Sequence, residues 1–202
     1  MKRYLIFDVE TTGLKVNGYD RMIQLGYVLW TDAGDGIAAY EEYSHYFNPL
    51  MTSSPGAFKV HQINDEKLRE YLPIGCRDGR LSDFLKAVNE VDILIAHHKS
   101  FDISFIAKEL EYSGFHCQTS FYEMLNEKCL CTAELGYRLL KSQSLDTLLK
   151  ALDISTEGTN RANYHDAMED AKLTTLAYKK LKQIYPDLIQ KEEDKLLSLR
   201  TN

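Results

Sequence analysis

Apolar residues in the first part of the chain are spaced as in β-strands. Residues 4–10 are short, rich in β-forming types and followed at once by a Thr-Thr-Gly turn signal. Residues 22–30 and 43–47 have the same character, and the glycines and aspartates at 32–36 between them suit a hairpin loop. The pattern predicts three strands in an antiparallel meander.

From residue 64 onward the spacing becomes helical. Apolar residues between 81 and 88 recur at helix spacing, and the apolar run at 91–96 that follows predicts a buried strand. Further helices are predicted over residues 101–110, 131–140, 145–152 and 166–184. A meander followed by alternating helices and strands predicts an α/β fold, with a mixed sheet flanked by helices.

The length of the chain favours one domain. With 202 residues, 44% of them hydrophobic, it is long enough for one core and short for two. We expect one catalytic domain over residues 1–185 and a charged tail or helix extension over residues 186–202. The leucines of that tail could dock to a partner, although such a stretch is more often the frayed end of a last helix.

Charge and hydropathy limit the classes of function. The net charge of −6 argues against a Lys and Arg clamp on nucleic acid, but not against an enzyme that holds one strand end through metal ions. No apolar run approaches the roughly 20 residues that a membrane span needs. An acid stands at Asp8, where a signal peptide would continue apolar. We therefore expect an intracellular, cytoplasmic protein.

The four cysteines are predicted to be free thiols. Cys76, Cys117, Cys129 and Cys131 form no CxxC pair and have no partners at zinc-finger spacing. A redox or zinc site at Cys129 and Cys131 is the competing interpretation, but two cysteines in an apolar stretch are usually just small buried side chains.

Asp8 and Glu10 are the first candidates for chemistry. They lie two residues apart on a predicted strand, so both carboxylates project from the same face. An isolated acid pair near a strand end usually just faces water. Further acids at the starts of helices beside the sheet change this interpretation.

Asp102 and Asp170 are those further acids. Asp102 falls in the first turn of the helix after the buried strand, with Ser100 as a candidate cap, and by itself would only be a favourable charge at a helix N-terminus. Asp170 lies between Ala167 and Ala171 on a side expected to face the sheet. An unpartnered acid there is costly to bury, so a cation is expected.

Three segments of the chain resemble the motifs of a known family. Residues 7–14, 97–105 and 165–170 are similar, in the same order, to the three exonuclease motifs of the DEDDh exonucleases. This is the family of the proofreading epsilon subunit of bacterial DNA polymerase III. Residues 60–63 and 144–148 resemble landmarks between those motifs, so the resemblance covers roughly residues 4–180.

The spacing of the last motif distinguishes two branches of that family. The tyrosine branch places Tyr four residues before the last acid, but that position holds Asp166, whereas His165 stands five before Asp170. The chain therefore resembles the histidine branch. It departs from the family at His98, where Asn is frequent, and at Gln62, where Gly is common, which puts substrate detail in doubt more than catalysis.

The resemblance implies a ribonuclease H-like fold and a 3′-to-5′ exonuclease that releases nucleoside 5′-monophosphates from single-stranded DNA. Clustered carboxylates repel each other unless cations join them, and hard oxygen ligands favour two Mg²⁺ or Mn²⁺ ions. The resemblance implies that Asp8 bridges both ions and that Glu10, Asp102 and Asp170 complete their coordination. His165 would be the general base; its simpler interpretation is a histidine at a helix start with no chemical role.

Substrate contacts are expected around the first motif. Thr11, Thr12 and Gly13 would contact the terminal sugar, and Leu14 would wedge against the last base. His61 resembles the family's middle histidine and would contact the terminal phosphate or a water near the metal ions; otherwise it is a solvated loop residue. Lys99 and Arg161 could contact phosphate, but they stay outside the predicted site because exposed basic residues usually do nothing specific.

Three rival functions remain open at this point. An exoribonuclease of the same fold would use the same chemistry. An inactive adaptor would keep the fold to bind a polymerase or nucleic acid, although all five catalytic positions are filled here. A small-molecule phosphohydrolase could use the same acids. Single-stranded DNA 3′ ends, and a polymerase or another replication or repair protein, are the expected partners.

Overall fold

The structure is a computed structural model that describes residues 1–34, 39–75, 79–115 and 119–198. Five strands in these residues form one sheet with the order β3-β2-β1-β4-β5. The strands are β1 (Lys2–Thr11), β2 (Met22–Asp32), β3 (Tyr40–Tyr46), β4 (Ile93–Ala96) and β5 (Cys129–Cys131).

The strand directions confirm the predicted mixed sheet. The first three strands form an antiparallel meander, whereas β1 and β4, and β4 and β5, run parallel. β3 begins at Tyr40, earlier than predicted, and part of the predicted hairpin loop at 32–36 lies outside the described residues. The prediction of a helix from residue 131 missed β5, whose three buried residues pair with β4 before the helix begins.

Nine helices are present in the described residues. They are α1 (Pro55–His61), α2 (Asp65–Leu68), α3 (Arg80–Glu90), α4 (Lys99–Tyr112), α5 (Phe121–Glu127), α6 (Thr132–Leu140), α7 (Leu145–Ala151), α8 (Ala167–Ile184) and α9 (Pro186–Ser198). The sequence pattern did not predict α1 and α5 and gave no bounds for α2. These three helices span at most seven residues and begin at the side-chain caps Ser54, Asn64 and Ser120. None of the helices within the described ranges is long and apolar enough to cross a bilayer.

The central strand β1 carries side chains into two separate cores. Leu5, Phe7 and Val9 pack into a core with α3, α4 and α5. Tyr4 and Ile6 point the other way, into a core with residues of α7, α8 and α9. A strand covered on both faces is expected to be almost continuously apolar, so the acids near the end of β1 interrupt the pattern.

The last helix belongs to the second core. Ile189 and Leu196 of α9 are buried there together with Glu193, which accepts a hydrogen bond from the Tyr4 hydroxyl at 2.8 Å. Residues 186–198 are therefore a packed helix. Cys129 and Cys131 are buried free thiols, as predicted, while Cys76 and Cys117 lie outside the described residues.

Candidate active site

Asp8 and Glu10 continue the face of β1 that Tyr4 and Ile6 begin. In the register with β2, Asp8 lies opposite Gly26 and Glu10 lies opposite Gln24. This face is apolar where the body of α8 covers it and acidic beyond. The alternation of side chains on one strand thus brings two carboxylates to the place where α8 starts.

The start of α8 is seated on β2 by a close backbone contact. A Cβ built on Gly26 would lie 2.3 Å from the Met168 nitrogen, so only glycine permits this approach. Asp166 caps the helix by accepting from the N–H groups of Met168 and Glu169, both at 3.1 Å. Gln24 joins cap and strand, because its Nε2 donates to Asp166 at 2.8 Å and its Oε1 accepts from the Ala167 N–H at 3.1 Å. The first turns of α8 therefore lie directly against the sheet.

Asp102 reaches the same place from the opposite layer. The helix α4 starts immediately after β4, and its cap is His98 in a left-handed conformation (φ 59°), which replaces the expected cap Ser100. The Asp102 side chain is buried, and its Oδ1 accepts a hydrogen bond from the Val9 N–H at 3.1 Å. This bond fixes the carboxylate beside the strand that carries Asp8 and Glu10.

Three stretches of chain that are far apart in sequence meet at one cavity of about 730 Å³. Asp8, Glu10, Asp102, His165 and Asp170 all line it. One ligand atom from each of Glu10, His165 and Asp170 lies within 4.8 Å of the other two. Within the described residues, this is the group of acids and histidines with the spacing of a metal site.

The acids raise one another's pKa. Burial, and then the charges of Asp102, Asp170 and Glu10, hold the pKa of Asp8 well above its usual range. Burial also raises the pKa of Asp170 to about 6, against the opposing effect of Arg161. The ionised cluster is therefore destabilising by itself, and positive charge would relieve it.

The donor set fits hard divalent cations. The Oδ1 atom of Asp170 is buried and has no hydrogen-bond partner in the described structure. An orphaned carboxylate oxygen beside further carboxylates is the environment that Mg²⁺ or Mn²⁺ uses. Asp8, Glu10, Asp102 and Asp170 are the residues that could hold such ions.

His165 lies at the edge of this cluster. Its Nδ1 is 3.7 Å from the Asp170 carboxylate, and its side chain is 36% exposed. Burial, followed by the charge of Arg161, lowers the pKa of His165. The imidazole is therefore neutral at pH 7 and able to accept a proton.

Arg161 is the site residue that sequence reasoning missed. Its side chain is only 9% exposed and forms ion pairs with Asp170 and, at 2.8 Å, with Asp146. The expectation that it is a nonspecific surface base was wrong, because its ion pairs with Asp146 and Asp170 hold the side chain in a largely buried position. A signal existed, since this single arginine stands four residues before His165. By contrast, Lys99 donates to the Cys129 carbonyl at 2.9 Å.

His61 is buried at the end of α1, which excludes the solvated-loop interpretation. Its Nδ1 accepts from the Ile63 N–H at 2.9 Å, so the other ring nitrogen carries the proton in the neutral form. That Nε2 is buried without a partner, and the residue lines the cavity. Burial lowers the pKa of His61 to about 4, so it is a neutral hydrogen-bond donor at physiological pH.

The turn after β1 divides the remaining predicted residues into two groups. Thr11 and Leu14 line the cavity, and Leu14 is 82% exposed at its mouth. Thr12 is fully buried and its Oγ1 accepts from the Arg21 N–H at 2.9 Å, while a Cβ on Gly13 would meet Asp20 at 2.5 Å. Thr12 and Gly13 shape the turn, and their contact with a substrate stays a prediction.

Comparison with known proteins gives one family match. The profile of the family RNase_T, described as exonuclease, matches residues 5–178. DNA polymerase III PolC-type of Oceanobacillus iheyensis is 31% identical over 202 residues, and that of Listeria welshimeri is 33% identical over 183 residues. These alignments cover 98% and 89% of the chain but only 12% and 11% of those polymerases.

Solved structures share the fold. A zinc-bound complex of E. coli Exonuclease I with single-stranded DNA superposes with a TM-score of 0.74 at 20% identity, over 94% of this chain and 42% of that one. Exonuclease X in complex with 5′ overhanging duplex DNA superposes with a TM-score of 0.62 at 20% identity, over 91% of this chain and 93% of that one. These similarities confirm the ribonuclease H-like fold that the family resemblance implied.

Proposed function

Because the chain belongs to the DnaQ-like exonuclease family, we propose that it hydrolyses the terminal phosphodiester at the 3′ end of single-stranded DNA and releases nucleoside 5′-monophosphates. The observation that carries the proposal is the convergence of four carboxylates and His165 on one cavity. Three chain segments supply them, and their residue types and order support assignment to the histidine branch of the family.

Asp8, Glu10, Asp102 and Asp170 would hold two divalent cations, Mg²⁺ or Mn²⁺. Bound there, such ions lower the pKa of an attacking water and stabilise the leaving oxygen. The repulsion among the carboxylates and the unpartnered Oδ1 of Asp170 support this assignment. Asp102 is held rigidly by the Val9 N–H, so its carboxylate needs little reorganisation to serve.

His165 is the general base of the proposed reaction. The water oxygen attacks the phosphorus, a ring nitrogen of His165 takes the proton, and the bond from phosphorus to the 3′ oxygen of the preceding nucleotide breaks. The lowered pKa of His165 keeps the ring unprotonated at neutral pH.

Residues at the mouth of the cavity would bind the 3′ end of the DNA strand. Leu14 presents an exposed apolar side chain against which the terminal base can pack, and the His61 Nε2–H can donate to a phosphate oxygen. Thr11, next to the acids, is the candidate contact for the sugar. A cavity of about 730 Å³ has the size of sites that hold a single small ligand.

The names of the relatives support DNA rather than RNA as the substrate. They also support a function together with a polymerase. The PolC-type relatives are named DNA polymerase III, and the Exonuclease I complex contains single-stranded DNA. The chain spans only about an eighth of those polymerases, and their name is what supports a replication or repair partner as part of the proposal.

One digestion experiment tests the proposal. DNA and RNA single strands of identical sequence, labelled at the 5′ end, are incubated with and without Mg²⁺. The label gives the length of the remaining strand over time, and chromatography identifies the released nucleotides. We expect stepwise shortening from the 3′ end and mononucleotides from DNA, only with the metal. A preference for RNA would show the exoribonuclease, and binding without hydrolysis would show an adaptor.

Three substitutions assign the roles. Asp8→Ala or Asp170→Ala should abolish the Mg²⁺-dependent release, whereas full activity in either variant would show that the metal site is misplaced. His165→Ala should lower kcat by about 10²- to 10⁴-fold, the range for a lost general base. A chromogenic thymidine phosphodiester assayed beside the oligonucleotide distinguishes a small-molecule phosphohydrolase from an exonuclease.

A further inference from the structure

Arg161 is in direct contact with the carboxylate cluster of the proposed metal site. We propose that it is a built-in counter-cation: it neutralises Asp170 in the metal-free enzyme and moves to Asp146 alone when a divalent cation binds. The inference rests on the proposed function, because it needs the acids to hold a metal ion.

The guanidinium group of Arg161 bridges two carboxylates with different nitrogen atoms. Its Nε donates to Asp146 at 2.8 Å, and its Nη1 donates to Asp170. The Asp170 side chain is 5% exposed, whereas that of Asp146, in the first turn of α7, is 61% exposed. One contact thus lies inside the cluster and the other at its rim. The inner contact can break while the outer one keeps the side chain attached.

The balance of charge gives a reason for this movement. Four ionised carboxylates carry a charge of −4, which one arginine offsets only in part. Two divalent cations would neutralise them completely, after which the arginine in their midst would be repelled by the ions. Asp146 does not line the cavity, so a guanidinium group held there is farther from the ions.

The same movement would release His165. Arg161 Nη1 lies 3.5 Å from Nδ1 of His165, so the same guanidinium group contacts both Asp170 and the proposed general base. With Arg161 on Asp170, the general base is crowded by a positive group. With Arg161 on Asp146 alone, the ring is free to turn toward a water. Arrival of the metal and readiness of the base are thereby coupled.

Binding of Mn²⁺ alone, without nucleic acid, tests the proposal by calorimetry at pH 8. Arg161→Gln removes the competing cation, so we expect Mn²⁺ to bind about tenfold more tightly than to the wild type. Asp146→Asn removes the outer anchor and leaves Arg161 on Asp170, so Mn²⁺ should bind more weakly. Arg138→Gln is the matched control, because Arg138 is 53% exposed and pairs with Glu192 outside the site.

The double variant separates competition by Arg161 from a general effect of charge. If Asp146 acts through Arg161, adding Asp146→Asn to Arg161→Gln should change Mn²⁺ affinity much less than Asp146→Asn does alone. Equal effects in both backgrounds would overturn the proposal. Should Arg161→Gln fail to fold, Arg161→Met takes its place: methionine keeps a long unbranched side chain without the charge, and this variant should also bind Mn²⁺ more tightly than the wild type.

The results distinguish failure of this inference from failure of the proposed function. If Arg161→Gln binds Mn²⁺ no more tightly than the wild type, the counter-cation role is wrong. The exonuclease proposal then still stands wherever the wild type binds Mn²⁺ and shortens DNA. If the wild type binds no Mn²⁺ and leaves DNA intact, both are overturned.

Discussion

The backbone N–H of His165 donates a hydrogen bond to the carbonyl of Val60 at 2.9 Å. A second hydrogen bond joins the same two segments, from Nε2 of Gln62 to the carbonyl of Asn163, also at 2.9 Å. Together they tie the end of α1, which carries His61, to the segment that delivers His165. The proposed general base and the proposed phosphate donor are therefore positioned by the same contact.

Replacing Gln62 with glycine should show whether Gln62 positions the His165 segment, because the substitution should change kcat without a large change in the free energy of unfolding. Gln62 has a left-handed backbone (φ 52°), which costs a non-glycine residue on the order of 1 kcal/mol. Gln62→Gly removes that cost together with an exposed hydrogen bond of about 1 kcal/mol. We expect a small net change in the free energy of unfolding, but a kcat about tenfold lower because the His165 segment is loosened. Urea unfolding and DNA digestion measure the two quantities.

Asp153→Gly is the control for this experiment. Asp153 also has a positive φ of 55° and is exposed, and its backbone N–H donates to the Lys150 carbonyl at 3.2 Å, away from the His165 segment. The substitution should leave kcat unchanged. Equal kcat values for Gln62→Gly and the wild type would contradict the positioning role.

Gly26→Ala should displace the start of α8. The new methyl group would overlap the backbone of Ala167 and Met168, which cannot move aside as a flexible side chain can. We expect the free energy of unfolding to fall by about 1 to 3 kcal/mol, as for other overpacked sites, together with a loss of Mg²⁺-dependent activity. Gly56→Ala is the control, because a Cβ at Gly56 meets nothing within 4 Å and alanine favours the helix. An active, fully stable Gly26→Ala would show that the contact is not required.

Local pattern was enough to predict the acids but not the contacts that bring them together. Alternation along β1 put Asp8 and Glu10 on one face, and the helix starts placed Asp102 and Asp170. The seating of α8 through Gly26 and Gln24 joins residues more than 140 positions apart, which no local period records. The short strand β5 was missed for the same reason, since its three residues are extended only because β4 pairs with them.

Glu193→Gln should weaken the attachment of α9, and the effect should depend on pH. Glu193 is fully buried and accepts from Lys2 at 2.6 Å, Tyr4 at 2.8 Å and Tyr178 at 2.7 Å. Burial alone would raise its pKa, but these hydrogen bonds outweigh burial and lower it below 4.5. The carboxylate therefore stabilises the fold above pH about 4.5. This contribution is lost as the pH falls through the lower pKa of the folded state.

Urea unfolding of wild type and Glu193→Gln from pH 7 to pH 3 measures this dependence. At pH 7 the variant should be less stable by on the order of 2 to 3 kcal/mol, the usual contribution of hydrogen bonds to a charged group. The difference should shrink below pH about 4.5. Glu192→Gln, on the same helix but paired with Arg138, should cost far less at every pH. A difference that is constant over the whole pH range would contradict the ionised state of Glu193.

Asp8→Asn should stabilise the metal-free protein while removing its response to metal. The pKa of Asp8 is raised by burial and by three neighbouring acids, so its charge opposes folding when no cation is bound. In EDTA we expect the variant to be more stable by about 1 kcal/mol, as for other substitutions that relieve strain at functional sites. Mg²⁺ should raise the Tm of the wild type, because it binds the folded state, but not that of Asp8→Asn. Glu157→Gln, which removes an equal charge at an exposed loop position, should respond to Mg²⁺ like the wild type. A wild-type Tm that is equal in EDTA and in Mg²⁺ would argue against a cation site among these acids.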